Sequence, residues 1–260
     1  MTKFLLLLIC LCVWHINVQA DQEGAYKQYY KNGQLQEEGT YVDGKKQGPF
    51  KGYYESGKLK EEGTYDDGRP DGDFKTYYEN GKLQEEGSYI DGKQDGDFKV
   101  YYEDEKLQEE GSFANGKREG PFKIYYKNGN LKEEGVLRNS KVNGLENLYY
   151  ESGNLKEEAT FKDGKADRVA KIYYEDGKLQ SEIMYKNGKK NGLAKYYYKD
   201  GQLKSEESYK NGKIEGKQKM YTESGTISFI DTYKDGTQIN WQIFDQEGKL
   251  HREVNFYQNP

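Results

Sequence analysis

Apolar and charged residues alternate along most of this chain, and short glycine-containing segments interrupt the alternation at regular intervals. The segment Phe50–Tyr65 shows the pattern, because its residues fall into one mostly aromatic or aliphatic set and one mostly charged set. The first set contains Phe50, Gly52, Tyr54, Leu59, Glu61, Gly63 and Tyr65, and the second contains Lys51, Tyr53, Glu55, Lys58, Lys60, Glu62 and Thr64. Since successive side chains of a strand point to opposite faces, the pattern predicts a β-hairpin. We name its apolar side face A and its charged side face B.

The turn of this hairpin is predicted at Ser56-Gly57, and most equivalent pairs are Asn-Gly or Asp-Gly. They include Asn32-Gly33, Asn80-Gly81, Asn128-Gly129, Asp176-Gly177 and Asp200-Gly201. Such pairs accept positive φ at both central positions of a two-residue type I′ turn. The predicted register sets Tyr54 opposite Leu59, Tyr53 opposite Lys60, Lys51 opposite Glu62, and Phe50 opposite Gly63. The pair Asp104-Glu105 lacks the glycine, so we expect that turn to be strained or differently shaped.

The hairpin pattern returns every 24 residues. Its most regular marker is a tyrosine at Tyr29, Tyr53, Tyr77, Tyr101, Tyr125, Tyr149, Tyr173, Tyr197 and Tyr221. A fixed period of this size is typical of repeat architectures. Ten hairpins can be counted, and the last follows after 23 residues. The sequence therefore predicts an all-β fold, an elongated single antiparallel sheet of about ten tandem 24-residue hairpins, about 95 Å long at ~4.8 Å per strand.

Complementary volumes support the register within each hairpin. A large ring faces glycine in the first five copies, and at Ala170 and Ile183 the large and small residues change places. Between hairpins, the segment 67–72 is interpreted as a longer glycine turn. Equivalent residues of successive hairpins then lie either level or shifted by two, and both registers remain open. Copies six to nine lose the ring, and Arg168 replaces a loop glycine, so we expect that half to be looser or to bind something different.

Composition alone would suggest disorder, because 33% of residues are hydrophobic and 33% are charged. The fixed positions of the 26 tyrosines favour a thin repeat sheet instead. The formal net charge is −5 and the two signs are evenly mixed. Such a chain is a poor binder of nucleic acid or of anionic membranes, so we expect no nucleic-acid partner.

Residues 1–20 differ from the rest and have the order of a secretory signal peptide. Lys3 precedes an apolar run, and small residues stand at Val18 and Ala20. The run is too short to span a bilayer, which needs roughly 20 residues, so we expect cleavage near Ala20 and no stable membrane insertion. The repeat domain would occupy residues 21–260 and be exported to the periplasm, the cell surface or the medium. Both cysteines lie in the leader, which excludes a disulfide or thiolate metal site in the processed chain.

One copy contains the pattern Tyr53-Tyr54-Glu55-Ser56-Gly57-Lys58-Leu59, followed by Tyr65, Gly68 and Gly72. This pattern resembles the MORN-repeat variant family, a group often labelled as YwqK-type antitoxin proteins of toxin–antitoxin systems. The resemblance covers about residues 26–257. It implies consecutive antiparallel hairpins and a binding or scaffolding role, with an antitoxin-like or immunity-like role as a further expectation.

Residues with catalytic or metal-binding chemistry are scarce. The repeated Glu61-Glu62 pair points to opposite faces of a strand and so does not form an acid–base dyad. The acidic segment 66–73 lacks the ligand spacing of a calcium loop and is explained by turn chemistry. Apart from the leader, His251 is the only histidine. We therefore expect no enzyme activity, no cofactor and no metal site.

The candidate partner-binding residues are the tyrosines predicted for face B. They are Tyr53, Tyr77, Tyr101, Tyr125, Tyr149, Tyr173 and Tyr197. One interpretation is that their rings cover lysine stems; the other is an aromatic strip for a peptide, glycan or partner protein. We expect an exported, non-catalytic protein-binding scaffold. A surface glycan or cell-wall binder is the alternative, although such repeats usually carry a tryptophan in each copy and here only Trp241 follows the leader.

Overall fold

The structure is a computed structural model that describes residues 23–256, and every regular element in that range is a β-strand. The predicted leader and its cleavage site lie outside the described residues. From the N-terminus, the first twelve strands are β1 (Gly24–Tyr29), β2 (Leu35–Val42), β3 (Lys45–Lys46), β4 (Gly48–Tyr53), β5 (Leu59–Asp66), β6 (Arg69–Pro70), β7 (Gly72–Tyr77), β8 (Leu83–Ile90), β9 (Lys93–Tyr101), β10 (Leu107–Ala114), β11 (Lys117–Arg118) and β12 (Gly120–Tyr125). The remaining twelve are β13 (Leu131–Arg138), β14 (Lys141–Val142), β15 (Gly144–Tyr149), β16 (Leu155–Lys162), β17 (Lys165–Tyr173), β18 (Leu179–Lys186), β19 (Lys189–Tyr197), β20 (Leu203–Lys210), β21 (Lys213–Tyr221), β22 (Ile227–Lys234), β23 (Thr237–Phe244) and β24 (Leu250–Asn255). Residues 23–256 include no helix long and apolar enough to cross a membrane.

The 24 strands form ten hairpins in one antiparallel sheet, as the sequence predicts. The hairpins are β1/β2, β4/β5, β7/β8, β9/β10, β12/β13, β15/β16, β17/β18, β19/β20, β21/β22 and β23/β24. The four two-residue strands β3, β6, β11 and β14 lead into the hairpin that follows them. In copy four and in copies seven to ten this lead-in is continuous with the first long strand. The hairpin therefore remains the unit of the fold.

Equivalent residues lie level along the sheet. Phe50 pairs with Gly63 as predicted, and Lys51 pairs with Glu62. On its other side Glu62 pairs with Lys75, the counterpart of Lys51 one repeat later. The open question of register is therefore settled in favour of level repeats, and each column of side chains runs straight across the hairpins.

The predicted two-residue turn at Ser56-Gly57 is wrong. The Tyr54 N–H donates to the Lys58 carbonyl and the Gly57 N–H to the Tyr54 carbonyl, each at 2.8 Å. Only Gly57 of this loop has positive φ (81°), so the loop has three residues, a type I turn followed by a left-handed glycine. The longer loop sets Tyr53 opposite Leu59 and leaves Lys60 as a bulge. The pairing of Tyr54 with Leu59 and of Tyr53 with Lys60 is therefore corrected.

The two-residue turn with positive φ at both positions lies between the hairpins instead. Asp67 and Gly68 have φ values of 47° and 80°, and Asp66 pairs directly with Arg69. The predicted longer glycine turn is thus a tight turn followed by a bulge. The bulge contains Gly72 with φ 94°, and Arg168 adopts the same conformation at the equivalent position with φ 75°.

This bulge shortens the path along the sheet, because the five residue steps from Lys46 to Lys51 lie opposite the three steps from Tyr41 to Glu38. Lys46, just before the bulge, places Nζ 4.4 Å from the ring centroid of Phe50 and 3.1 Å from the carboxylate of Glu37. The bulge therefore brings Lys46 over the Phe50 ring, and this contact covers part of face A even though the sheet is a single layer.

The core is a row of side chains on face A. Phe50, Phe98 and Phe122 are each at most 5% exposed. Rings touch within a hairpin and between neighbours: the centroids of Phe50 and Tyr65 in one hairpin lie 5.2 Å apart, and those of Tyr65 and Phe74 of the next hairpin lie 5.6 Å apart. In later copies the buried apolar residues of this row are small or aliphatic, namely Ala159, Ala170, Ile183 and Ala194, and Glu146 and Asp231 are buried in the same row.

Candidate functional site

The predicted tyrosines lie on face B, where most of them join one hairpin to the one before. The hydroxyl of each of five tyrosines donates to a glutamate of the preceding hairpin. The bonds are Tyr53 to Glu38 (2.6 Å), Tyr77 to Glu62 (2.7 Å), Tyr101 to Glu86 (2.7 Å), Tyr125 to Glu110 (2.8 Å) and Tyr149 to Glu134 (2.7 Å). We name the seven predicted residues the face B tyrosine row. Tyr173 and Tyr197 continue it in the next two hairpins.

Glutamates of this surface also lie beside lysines. Lys27 contacts Glu38 at 3.0 Å, and Lys51 lies 3.8 Å from Glu62. The hydrogen bond from Tyr53 and the ion pair with Lys27 lower the pKa of Glu38. Burial and the bond to Glu62 raise the pKa of Tyr77 to about 12. At neutral pH Glu38 is therefore ionised and the Tyr77 hydroxyl keeps its proton.

The tyrosines are less exposed than the sequence predicts. All seven are half-buried, and in five of them the hydroxyl is already engaged. They offer the free part of an aromatic ring to a partner. Whether they contact one stays a prediction, but replacing them with serine would also break bonds between hairpins. These bonds indicate that face B also helps to hold neighbouring hairpins together.

A second tyrosine row lies at the hairpin-turn rim of the sheet. The Tyr54 hydroxyl donates to the Tyr77 carbonyl oxygen at 2.6 Å, and Tyr78 bonds the Tyr101 carbonyl oxygen in the same way. The pattern continues through Tyr198, which bonds the Tyr221 carbonyl oxygen. Because these bonds satisfy backbone acceptors of the next hairpin, this row is structural.

An exposed apolar stripe on face B was missed in the sequence analysis. It consists of Pro121, Val136, Leu145, Thr160, Val169, Met184 and Leu193, one residue from each of seven successive long strands. Val136, Leu145, Met184 and Leu193 are 42%, 49%, 43% and 37% exposed. The same column is mainly polar in copies two to four, with Pro49, Thr64, Asp73, Ser88, Asp97 and Ser112. The change from serine and aspartate to branched residues was the available signal.

The stripe and the face B tyrosine row share the same hairpins. Pro121 and Tyr125 are four residues apart on one strand, with Lys123 between them on the same face. Four strand residues span about 13 Å, and seven strands span about 30 Å. Copies five to eight therefore present an apolar line, a line rich in lysine and glutamate, and a tyrosine line side by side.

Carboxylates also line face A. Several of them belong to the glutamate that directly precedes, in sequence, a glutamate that accepts a tyrosine hydroxyl on face B. Glu37 pairs with Lys46, and Glu109 pairs with Arg118. Further along the sheet, Glu133 and Glu146 are 8% and 9% exposed. Burial, with the nearby charges of Glu133 and Glu157, raises the pKa of Glu146 to about 7. On face A, burial therefore disfavours the ionised form of Glu146.

The acidic turn segments are explained by local hydrogen bonding. The side chain of Gln47 accepts a bond from the Asp67 N–H at 2.9 Å, and Asp71 accepts one from the Asp91 N–H at 3.1 Å. Such bonds hold each tight turn to the turn before it. Within residues 23–256 no group of three or more histidine, cysteine, aspartate or glutamate side chains is arranged to bind a metal.

Comparison with known proteins identifies the repeat. The family model described as MORN repeat variant matches nine segments, namely residues 22–43, 46–67, 70–91, 94–115, 118–139, 142–163, 169–187, 190–211 and 214–235. A search of curated proteins finds no match.

Among solved structures, the chain is similar to three crystal structures that contain TcdB2 and TccC3. It aligns with TcdB2-TccC3-Cdc42 at 10% identity and a TM-score of 0.20, covering 90% of this chain and 17% of that one. It aligns with TcdB2-TccC3 at 11% identity and a TM-score of 0.17, covering 90% of this chain and 18% of that one. With TcdB2-TccC3 without its hypervariable C-terminal region, the identity is 12% and the TM-score is 0.21, and the alignment covers 84% of this chain and 14% of that one. This chain thus spans less than a fifth of each matched chain, and TM-scores this low carry no further argument.

Proposed function

The chain belongs to the MORN repeat variant family, and on that premise we propose that it is an exported, non-catalytic scaffold that binds a partner protein on face B. The observation that supports this proposal is the exposed apolar stripe of copies five to eight. Large contiguous apolar patches are uncommon on free protein surfaces and mark interaction sites. The adjoining face B tyrosine row adds aromatic contact area, which interfaces favour.

The experiment compares partner binding by a stripe variant and by a matched control. The stripe variant combines Val136→Ser, Leu145→Asp, Met184→Ser and Leu193→Asp, which are residue types that the same column carries in earlier copies. The control combines Pro49→Asp and Thr64→Asp, which adds the same two charges to the column outside the stripe. A partner recovered from envelope or medium is purified, and its affinity for each variant is measured. Binding should fall at least tenfold for the stripe variant only, and equal affinities would refute this site.

Glycan binding is the second candidate, favoured by half-exposed tyrosine rings that recur once per hairpin, at intervals of about 10 Å. A glycan array with the wild-type protein and with the triple variant Tyr125→Ser, Tyr149→Ser and Tyr173→Ser separates the two. Glycan binding that is lost in the tyrosine triple but kept in the stripe variant would favour this alternative. Circular dichroism and melting must accompany the triple, since Tyr125 and Tyr149 also bond neighbouring hairpins.

Export and an antitoxin-like or immunity-like role are the finer parts of the proposal. The basis for export is the leader sequence, and N-terminal sequencing of protein from the envelope or medium should begin near Asp21. Replacing the small residue at the cleavage site, Ala20→Phe, should leave the leader attached. An immunity-like role predicts that the purified partner is toxic alone and harmless when bound. A harmless partner would reject that role and leave the scaffold proposal intact.

A further inference from the structure

The two ends of the sheet carry complementary halves of the contact that joins neighbouring hairpins inside it. Within residues 23–256, β1 pairs only with β2, and β24 pairs only with β23. Each terminal strand therefore has an outer edge with unpaired backbone groups, which is a template for pairing with another strand.

The interior junction defines what each edge lacks. Where one hairpin meets the next, Glu62 pairs with Lys75, and the hydroxyl of Tyr77 donates to the carboxylate of Glu62 at 2.7 Å. On face A the rings of Tyr65 and Phe74 lie 5.6 Å apart. The first four junctions each combine a lysine, a tyrosine and a ring from the later hairpin with a glutamate and a ring from the earlier one.

The outer edge of β1 presents the later half of this junction. Lys27, Tyr29 and Tyr26 occupy the positions of Lys75, Tyr77 and Phe74. Tyr29 is 59% exposed, whereas the equivalent Tyr53 is half-buried against Glu38 of the preceding hairpin.

The outer edge of β24 presents the earlier half. Glu253 pairs with Gln242 and Val254 with Trp241, as Glu62 pairs with Lys51 and Gly63 with Phe50. By the same register, Leu250 and Phe256 occupy the positions of Leu59 and Tyr65. They are 44% and 52% exposed. With Tyr29, three of the large exposed apolar residues of the protein therefore lie at its two edges.

We propose that a second copy of this chain pairs head to tail with the first, β24 of one molecule lying antiparallel to β1 of the next in the register of the interior junctions. Glu253 then lies between Lys27 and Tyr29 of the other copy, and its carboxylate accepts a hydrogen bond from the hydroxyl of that tyrosine. Phe256 packs against Tyr26, and Val254 fits because the Tyr26 ring lies over Gly39 of its own hairpin.

The charges also decide which edges meet. Two β1 edges would oppose lysine to lysine, and two β24 edges would oppose glutamate to glutamate, whereas the unlike edges oppose opposite charges. Because the contact joins two different surfaces, a pair of molecules still has one free edge of each kind. Further copies can therefore add to the assembly. A single strand edge buries less area than a standard stable interface, so the association depends on concentration.

The test uses charge reversal and sedimentation velocity at low salt over a wide range of concentrations. The purified wild-type protein should increase in mass with concentration and pass beyond a dimer. The variants Lys27→Glu and Glu253→Lys should each stay monomeric when alone, because each then opposes like charges at every contact. Both residues are exposed, and circular dichroism equal to the wild type checks that each variant is folded.

Mixing the two variants gives the decisive result. In an equimolar mixture, every contact between unlike variants opposes glutamate to lysine, so the assembly should return as an alternating chain. Lys75→Glu, at an interior junction, should leave assembly unchanged. A wild-type protein that stays monomeric at all concentrations would overturn the proposal. So would single variants that assemble like the wild type, or a mixture that stays monomeric.

Discussion

At the scale of single residues, the face of the sheet decides what a side chain does. Glu61 and Glu62 are neighbours in sequence, yet Glu62 accepts the Tyr77 hydroxyl on face B while Glu61 lies on the buried face with the rings. The alternation of the sequence was enough to predict this separation. It could not predict the contacts that cover face A, because they depend on a bulge whose conformation Arg168 adopts without being glycine.

The first prediction concerns two neighbours on opposite faces of β9. Phe98 is 5% exposed, and its ring lies so close to Gly111 that a Cβ there would be 3.0 Å away. Phe98→Ala should cost about 3–5 kcal/mol of unfolding free energy, and Lys99→Ala less than about 1 kcal/mol. Urea unfolding measures both, and equal shifts would contradict the assigned faces.

The second prediction concerns the pH dependence caused by Glu146. Its folded pKa is raised to about 7 by burial, and in the unfolded chain a glutamate has a pKa of about 4.3. Below pH 4 the group is protonated in both states and imposes no cost. As pH rises from about 4.3 to 7 the unfolded chain loses the proton first, so stability falls by about 3–4 kcal/mol and stays low above pH 7.

The variant Glu146→Gln removes that dependence. It should be more stable than the wild type at pH 8 and similar to it at pH 4, as measured by melting at both values. Glu79→Gln, in an exposed turn, is the control and should change neither. A stabilisation of Glu146→Gln that is equal at both pH values would show that ionisation is not its cause.

At the scale of the hairpin, the sequence predicts the elements better than the turns that connect them. The strands, their order and the Phe50–Gly63 pairing follow from alternation and volume. The turn types were exchanged, because Asn-Gly or Asp-Gly suits a two-residue turn and also the end of a three-residue one. The deciding factor is the bulge at Lys60, which adds one residue and has no signature in local sequence.

The third prediction uses the one hairpin turn that lacks glycine in the first five copies. Glu105 keeps the shape of the other turns and adopts φ 69°, so the turn is strained and not differently shaped. The left-handed conformation costs a residue with a side chain roughly 1–2 kcal/mol. Glycine avoids this cost, but it also raises the conformational entropy of the unfolded chain, which offsets part of the gain in stability.

Glu105→Gly should therefore raise stability by about 0.5–1 kcal/mol in urea unfolding. Glu103→Gly, two residues earlier in the same turn and without positive φ, should lower it. If both changes lowered stability, the loss of the contact between Glu105 and Lys82, which is 3.1 Å long, would outweigh the relief of strain.

At the scale of the whole molecule, stability is the sum of hairpins and of the junctions between them. The period alone predicted a long array. The apolar stripe escaped prediction because it becomes apparent only when the level register aligns Val136, Leu145 and Met184 in one column. The tyrosine row at the rim likewise depends on that register, since each hydroxyl reaches a carbonyl 23 residues away.

The rim row ends where copy nine meets copy ten. Thr222 occupies the tyrosine position there, and its hydroxyl bonds the Thr226 carbonyl oxygen of its own turn at 3.2 Å. The last hairpin therefore lacks a bond that joins most of the others. We expect amide hydrogen exchange in β23 and β24 to be faster than in the interior hairpins, because local opening costs less where fewer contacts hold an element.

The fourth prediction is that Thr222→Tyr supplies the missing bond. In the repeat register the new hydroxyl would reach the carbonyl oxygen of Phe244, as the Tyr198 hydroxyl reaches that of Tyr221 at 2.7 Å. One added hydrogen bond contributes about 1 kcal/mol, which should slow exchange in β23 and β24 roughly fivefold. Thr222→Phe is the matched control, because it adds the ring without the hydroxyl. Equal protection in both variants would assign the effect to ring packing, and no protection in either would show that the last hairpin departs from the register of the rest.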